Sequence, residues 1–366
     1  MGALVAFLAS SVYVPGWSGA ATSSRWAVLA IVPWLLRDQE QTAGHLWGRL
    51  FLLWAAVSMI WSPAPFDGIN ALALLLILAA CFCFGSQTAN LRSIWIGAAL
   101  GLTISSVITV FQYYSVHVVN SNTPIAGLFV NGNWLAEATA LVVVALVAER
   151  LWWLLPGLMP ALLLPDARGP VLAVAVALAV HFRRQWRLLA PIAIGGLGLV
   201  LAYSWHKYGG GSTEERWMIW RSVIAGVVPF GHGIGSLLSV YPHYDLRVHP
   251  LSTPDQAHNE FLTVAFELGI PGLILFIGWC VTLAGPLDTV RIVLICLLVD
   301  GCFAFPLHTP TAAFLGMVAA GHAMRNRYLL RDFVVRRRGT GLSRMASARV
   351  PKEPAHAIIG SAHHAV

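Results

Sequence analysis

The run ALALLLILAACFCF, residues 71–84, carries no charged side chain and decides the fold class of this chain. The interior of a bilayer offers the backbone no hydrogen bonds. An apolar run of this kind must therefore pair its own polar groups, and it is predicted to form a membrane-spanning helix. It lacks the alternation of apolar and polar residues found in a membrane β-strand. The run indicates an all-α polytopic membrane protein.

The composition of the whole chain supports this fold class. Hydrophobic residues make up 57% of the 366 residues and charged residues only 11%, with a mean hydropathy of +0.71. Soluble domains are nearer a quarter charged. Many of the 15 tryptophans stand near span ends, which is typical of the aromatic belts at membrane interfaces. The five cysteines fall in apolar runs and predict neither a disulfide framework nor a zinc site.

Similar apolar runs predict about twelve spans, with one larger loop between spans nine and ten. The first run lacks a basic n-region, so it is predicted to remain as a span and not to act as a cleaved signal. The predicted spans lie near residues 2–14, 25–36, 47–61, 69–85, 93–114, 133–148, 151–164, 170–182, 188–204, 258–280, 290–305 and 310–325.

Four segments follow from these spans. They are N-terminal transmembrane helices over 1–204, a polar loop over 205–257, C-terminal transmembrane helices over 258–330, and a basic, disordered tail over 331–366.

The distribution of lysine and arginine predicts the orientation. With a cytoplasmic N-terminus, most arginines fall in cytoplasmic turns and in the tail, so both termini are predicted to be cytoplasmic. The net charge of +7 is then mainly an insertion signal, and its spread over many turns argues against nucleic-acid binding. The basic residues left on the outer side are Arg25, Arg168, Lys207, Arg216, Arg221 and Arg247.

The stretch 216–272 is the polar exception in this lipid-soluble chain. It contains RWMIWRSVIAGVVPFGHGIGS over 216–236 and AHNEFLTVAFELGIPG over 257–272. Arg216 and Trp220 would share one face of a helix. An outer arginine is either solvated, with neighbouring glutamates as ion-pair partners, or held for an anion. Residue spacing alone leaves both interpretations open.

The glycines and histidines of this stretch have simple interpretations. Gly231, Gly233 and Gly235 predict a tight backbone turn, since a dinucleotide site would need a preceding strand. His258 would stand at the aqueous end of a helix, where it either exchanges protons near neutral pH or only supports the structure. The loop histidines match no standard metal spacing, so neither a metal ion nor another cofactor is predicted.

Three acidic residues fall in or near apolar spans. Glu267 needs a partner there, and Pro271 is expected to break or kink the same helix. Glu137, at the start of span six, has a simple interpretation as a favourable charge near the positive end of the helix dipole. Asp300 lies deeper in span eleven and needs a partner, for which Arg168 and His308 are candidates.

The order of these motifs resembles the signature of the O-antigen ligase and polymerase superfamily. DARGP is the weaker match, because Asp166 and Ala167 replace the usual serine. The matching segments are Arg216 to Trp220, Pro229 to Gly235, His258 to Leu262 and Glu267 to Gly272, with GLFVNGNWLA (127–136) and DARGP (166–170) before them and FPLHTP (305–310) after them.

The resemblance implies an inverting, metal-independent glycosyltransferase of the bacterial inner membrane. Its donor would be an undecaprenyl-diphosphate-linked glycan on the periplasmic face, and its acceptor is predicted to be lipid A-core. Arg216 and Arg168 would bind the diphosphate, with Arg221 or Arg247 assisting, because guanidinium groups bind phosphate through paired hydrogen bonds.

The same resemblance assigns the proton transfer. His258 would act as general base on the acceptor hydroxyl or orient the acceptor. Asn259 and Glu267 would support the site from behind.

Other functions remain open at this stage. A polymerase of O-antigen or exopolysaccharide and a protein glycosyltransferase would share the same stretch. The absence of an added soluble domain for a protein acceptor favours the ligase. A membrane transporter is less well supported, because no repeat relates the halves and the polar residues concentrate in one outer loop. A non-catalytic assembly protein would not need this set of arginines and histidine.

Overall fold

The predicted all-α fold class is confirmed where the structure describes the chain: every regular element there is a helix. The structure is a computed structural model. The tail over 331–366 lies outside the described residues, and so does the predicted ninth span over 188–204 except for position 198. Of the polar loop, residues 205–210, 248–252 and 255 lie outside them. The described residues are 1–13, 22–36, 46–116, 123–185, 211–247 and 256–325, with single positions at 119, 198, 253 and 254.

Most of the helices follow the apolar runs of the sequence, and two of the described α-helices lie in the predicted polar loop over 205–257. Short 3₁₀ turns extend some of them. The helix bounds are α1 Gly2–Ser11, α2 Thr22–Leu29, α3 Leu46–Ser58, α4 Pro65–Gln87, α5 Leu91–Tyr113, α6 Gly132–Ala148, α7 Leu155–Leu163, α8 Arg168–His181, α9 Gly211–Ala225, α10 Leu237–Val240, α11 Glu260–Thr282, α12 Thr289–Gly301 and α13 310–325.

Three of these helices, α4, α5 and α11, are long and apolar enough to cross a membrane. Several shorter apolar helices accompany them, including α1, α6 and α8. Each predicted span within the described residues overlaps helical residues. The count of about twelve spans stays a prediction, because short helices do not by themselves establish crossings.

Polar side chains fix where several helices begin. The first N–H groups of a helix have no partner inside it, and an Asn or Asp oxygen at the N-cap supplies one. Asn90 accepts from Ser93 in this way at the start of α5, and Asn131 accepts from Asn133 at the start of α6. Asp288 caps α12 through the N–H of Arg291. The starts of these helices were therefore readable in the sequence.

The core of the molecule lies around α6 and α13. Nearly every side chain of α6 from Leu135 to Val147 is buried, and α13 is buried along most of its length. Helices α8 and α12 pack against α6 and against each other. Small residues allow close approach elsewhere: a Cβ at Gly97 of α5 would lie 2.2 Å from the Ala3 carbonyl oxygen of α1. Glu137 on α6, Arg168 on α8 and Asp300 on α12 thus lie on helices that pack together.

Helix α11 is broken, as the sequence predicts, and the break lies at Gly269 with φ 66° and ψ −166°. Pro271 has no N–H, so the Glu267 carbonyl one turn earlier has no helical partner. The N–H of Gly233 donates to that carbonyl instead, at 2.8 Å, and the N–H of His232 donates to the Phe266 carbonyl at 3.1 Å. The backbone groups released by the break are thus paired with the glycine segment.

Candidate active site

The glycine segment 229–237 is the predicted tight turn, seated in the break of α11. Gly231, Gly233 and Gly235 all have positive φ, of 74°, 93° and 73°. The segment also comes very close to other backbone: a Cβ at Gly231 would lie 2.2 Å from the Glu267 carbonyl oxygen, and one at Gly233 would lie 2.6 Å from Cα of Ser62. Only glycine satisfies both the dihedral angle and the space.

Glu267 finds its partners in this turn. Its two carboxylate oxygens accept hydrogen bonds from the N–H groups of Gly235 at 3.0 Å and Leu237 at 3.1 Å. A carboxyl in an apolar helix needs such donors. The structure therefore places Glu267 on the glycine segment and on the start of α10. A supporting role for Glu267 in the site stays a prediction.

Arg216 lies on α9, partly buried, and its Nη1 donates to the carbonyl oxygen of Phe303 at 2.9 Å. It makes no ion pair with any residue that the structure describes. Burial lowers the pKa of Arg216, whereas the negative charges of Glu137 and Asp300 raise it and the positive charge of Arg168 lowers it. These four side chains therefore belong to one electrostatic neighbourhood, although they come from four helices.

The two buried carboxyls of this neighbourhood have few partners. Glu137 and Asp300 are each 1% exposed. The Thr309 hydroxyl donates to Glu137 at 3.3 Å, so Glu137 does more than favour a helix dipole. Asp300 Oδ1 has no hydrogen-bond partner among the described residues. Since His308 pairs with Glu260, the structure does not place it as the partner predicted for Asp300.

Arg168 is the first residue of α8 and is half-buried. Its positive charge is near enough to Arg216 to lower the pKa of Arg216. The next residue, Gly169, faces Asp300: a Cβ there would lie 3.4 Å from Oδ1. The start of α8 and the end of α12 are therefore adjacent. The DARGP motif, the weaker sequence match, lies in the same neighbourhood as Arg216.

His258 immediately precedes the N-cap of α11 and has a positive φ of 51°. Its imidazole packs against the ring of Phe305, with centroids 5.1 Å apart. Burial, and then the nearby charge of Arg216, lowers the pKa of His258 to about 4. The ring is therefore neutral at pH 7, with one nitrogen lone pair available to accept a proton.

Asn259 and Glu260 fasten the start of α11 to the turn between α12 and α13. The side-chain Oδ1 of Asn259 caps α11 by accepting from the N–H of Leu262, and its Nδ2 donates to the Cys302 carbonyl at 2.9 Å. Glu260 accepts from the Leu307 N–H at 2.7 Å and lies 3.2 Å from His308 Nδ1. Asn259 is thus placed where the sequence predicts support, and Glu260 adds a second fastening.

The turn 302–309 is the common point of attachment. It contributes the carbonyl that holds Arg216, the ring against which His258 packs, and the N–H that binds Glu260. The sequence pointed to this turn only through the FPLHTP resemblance and through His308, a candidate partner for Asp300. Backbone carbonyl acceptors carry no residue-type signal, so their role was not predictable from composition or spacing.

Arg221 and Arg247 differ in their surroundings. Arg221 is exposed on α9. Arg247 is held in ion pairs with Asp245 at 2.8 Å and Glu215 at 3.1 Å. The hydrogen bonds that Arg247 donates to the Asp245 carboxylate raise the pKa of Arg247 and lower the pKa of Asp245. Glu215, a candidate partner for Arg216 in the sequence, thus pairs with Arg247 instead.

Arg25 is a buried cation that sequence analysis counted only as an outer arginine. It is 1% exposed, donates to the Leu128 carbonyl at 3.1 Å, and its guanidinium carbon lies 3.7 Å from the centroid of the Phe129 ring. Gln112 accepts from the N–H groups of Ala126 and Gly127 in the same segment. Together they fix the GLFVNGN segment, which leads into α6 and Glu137.

No three His, Cys, Asp or Glu side chains are grouped to hold a metal ion in the part of the chain that the structure describes. Independence from metal ions stays a prediction.

Comparison with known proteins identifies a family for this region. Residues 158–277 match the family model described as O-antigen ligase. The matched segment includes Arg168, Arg216, the glycine segment, His258 and Glu267, and it confirms the resemblance to that superfamily. The turn 302–309 and Glu137 lie outside it. A comparison with curated proteins gives no match.

Proposed function

We propose that this membrane protein, whose residues 158–277 match the family model described as O-antigen ligase, is an inverting glycosyltransferase. It moves a glycan from undecaprenyl diphosphate to an acceptor hydroxyl, that of lipid A-core, at the periplasmic face of the bacterial inner membrane. The observation that carries the proposal is a partly buried Arg216 without an ion-pair partner among the described residues, beside a neutral His258.

Arg216 supplies the binding site for the diphosphate. One guanidinium N–H is held by the Phe303 carbonyl, which fixes the side chain. The remaining N–H groups are directed to phosphate oxygens, with Arg168 adding positive charge from the start of α8. Negative charge develops on the diphosphate as its bond to the sugar breaks. A preorganised guanidinium stabilises that charge without a metal ion.

His258 takes the proton of the acceptor. The acceptor oxygen attacks the anomeric carbon from the side opposite the diphosphate, and the new C–O bond forms as the bond to the diphosphate oxygen breaks. The hydroxyl proton passes to the imidazole, and the diphosphate leaves with the bonding electron pair. The anomeric configuration is thereby inverted.

The bound diphosphate also makes His258 a better base. Burial and the charge of Arg216 lower the pKa of His258 to about 4. A diphosphate on Arg216 offsets that charge and favours the imidazolium form. Proton transfer is therefore coupled to donor binding.

Asn259 and Glu267 act by position. Asn259 holds the turn after His258 through its bonds to Leu262 and Cys302. Glu267 holds the glycine segment that follows α9, the helix of Arg216. Arg221 is exposed on α9 and available to assist with phosphate, whereas Arg247 would have to give up two carboxylate partners.

The proposal is tested with purified protein in lipid nanodiscs and an undecaprenyl-diphosphate glycan. Three acceptors are offered separately: lipid A-core, a second lipid-linked glycan unit, and a pilin-like protein. We expect product with lipid A-core and unchanged rates in the presence of a chelator. Product only with the second glycan unit would identify a polymerase of the same superfamily. No product with any acceptor, together with no donor binding, would exclude the enzyme.

A further inference from the structure

Helix α9 carries an aromatic pair beside Arg216 that the proposed catalytic roles leave unused. Trp217 and Trp220 are three positions apart and share one side of the helix. Their ring centroids are 6.4 Å apart in an edge-to-face arrangement. Trp217 is 59% exposed, so the face of its ring is accessible.

The inner ring of the pair is fixed to the same residue as Arg216. Trp220 packs against the Phe303 ring with centroids 6.1 Å apart, and Phe303 also supplies the carbonyl that accepts from Arg216. The indole N–H of Trp220 is buried and has no hydrogen-bond partner among the described residues. Trp220 therefore lies between the outer ring and the Phe303 ring, in contact with both.

Two arginines flank the outer ring in the sequence. Arg216 precedes Trp217 directly, and the exposed Arg221 lies one turn beyond it on the same side. Guanidinium groups bind phosphate, whereas the electron-rich face of an indole attracts the polarised C–H groups on one face of a pyranose ring. A sugar joined to a phosphate presents both features next to each other.

We propose that Trp217, backed by Trp220, is a stacking subsite for the first sugar of the donor, the one bonded to the diphosphate. The inference rests on the proposed function, in which Arg216 binds that diphosphate. Trp217 would then place the anomeric carbon beside Arg216 and set a preference for donors that carry a pyranose ring.

Trp217 would otherwise serve as an anchor in the membrane interface, where tryptophan is common. The variant Trp217→Leu separates these roles, because leucine keeps an apolar side chain but has no aromatic face. Trp217→Tyr keeps the face. Trp153→Leu is the matched control, since Trp153 is 70% exposed and stands on a different turn of the chain.

The experiment measures equilibrium binding to the protein in nanodiscs with two probes: undecaprenyl diphosphate without a sugar, and the same lipid carrying one pyranose. We expect the wild type and Trp153→Leu to bind the sugar-bearing lipid more tightly, by about three- to tenfold. Trp217→Leu should lose this preference while binding the bare lipid as the wild type does, and Trp217→Tyr should retain most of it.

Each other result has a distinct meaning. Equal weakening of both probes by Trp217→Leu would show that Trp217 acts on the lipid or membrane, and would overturn the stacking subsite. An unchanged preference in Trp217→Leu, or no preference in the wild type, would also overturn it while leaving the proposed function in place. Binding of neither probe by the wild type would refute the proposed function itself.

Discussion

Glu260 accepts a hydrogen bond from the backbone N–H of Leu307 at 2.7 Å, although the two residues are 47 positions apart in the chain. The bond ties the first turn of α11 to the segment leading into α13. His258 lies two residues before Glu260, and Phe305, against which it packs, lies two residues before Leu307. This bond therefore holds the proposed base against its neighbouring ring.

Glu260→Ala is expected to destabilise the protein by about 1–3 kcal/mol, because the partly buried N–H of Leu307 and the ring of His308 lose their carboxylate partner. Glu260→Gln keeps one acceptor oxygen and should lose less. The free energy of unfolding in detergent measures both. Glu214→Ala, which removes an exposed carboxylate on α9, is the control. Equal stability of the two alanine variants would contradict the proposed fastening.

Arg216→Lys is expected to lower the rate of glycan transfer by about 100-fold or more, because an ammonium group cannot hold the Phe303 carbonyl and grip a phosphate bidentately at once. The initial rate at saturating acceptor measures the effect. Arg184→Lys, a change at an exposed arginine after α8, should leave the rate unchanged. Comparable rates for wild type and Arg216→Lys would remove Arg216 from the catalytic role.

The pKa of His258, lowered by burial to about 4, makes the stability of the protein depend on pH. The unfolded chain binds a proton at this histidine below about pH 6.5, whereas the folded protein does so only near pH 4. The contribution of His258 to the free energy of unfolding is therefore fully present above about pH 6.5 and is lost as the pH falls toward 4.

His258→Gln should accordingly unfold with a smaller loss of stability between pH 7 and pH 5 than the wild type. Thermal unfolding at the two pH values, taken as a difference between the two proteins, cancels the other titrating groups. The same variant should abolish transfer at both pH values, since glutamine cannot accept the proton. An identical pH dependence in both proteins would show that His258 is not buried as the structure has it.

The sequence predicted the parts of this site that are local. Hydropathy located the apolar helices. Pro271 predicted the break in α11, and the carboxyl of Glu267 within an apolar span predicted a hydrogen-bond partner nearby. The partner was within reach of such reasoning because Gly235 belongs to a segment already predicted to turn back over the membrane surface. The pairing of Arg247 with Asp245, two residues away, also lay within reach of the spacing.

The sequence did not predict the parts that depend on distant backbone. Arg216 binds a carbonyl 87 residues away, and any residue type supplies a carbonyl. Glu137, Asp300 and Arg25 are each buried against groups from other parts of the chain. The hydropathy of one helix does not show which other segments pack against that helix. Arg25 is the clearest case. Its position at the end of a predicted span indicated an arginine on the outer side, whereas the structure buries it against the Phe129 ring.

Gly233→Ala is expected to destabilise the protein by about 2 kcal/mol or more, because alanine is strained at φ 93° and its Cβ would lie 2.6 Å from Cα of Ser62. The glycine segment would have to leave the break in α11, and the carbonyl of Glu267 would lose the N–H that pairs it. Gly48→Ala is the control: this glycine lies within α3, and an added Cβ would meet only the Trp279 ring, at 3.4 Å. That change should alter stability by less than about 1 kcal/mol. Chemical unfolding of both variants, followed by tryptophan fluorescence, measures the difference.

Since the segment follows directly from α9, we expect Gly233→Ala also to weaken donor binding in the fraction that remains folded. Intact donor binding and wild-type stability in Gly233→Ala would show that the segment does not need the backbone angle that only glycine adopts readily.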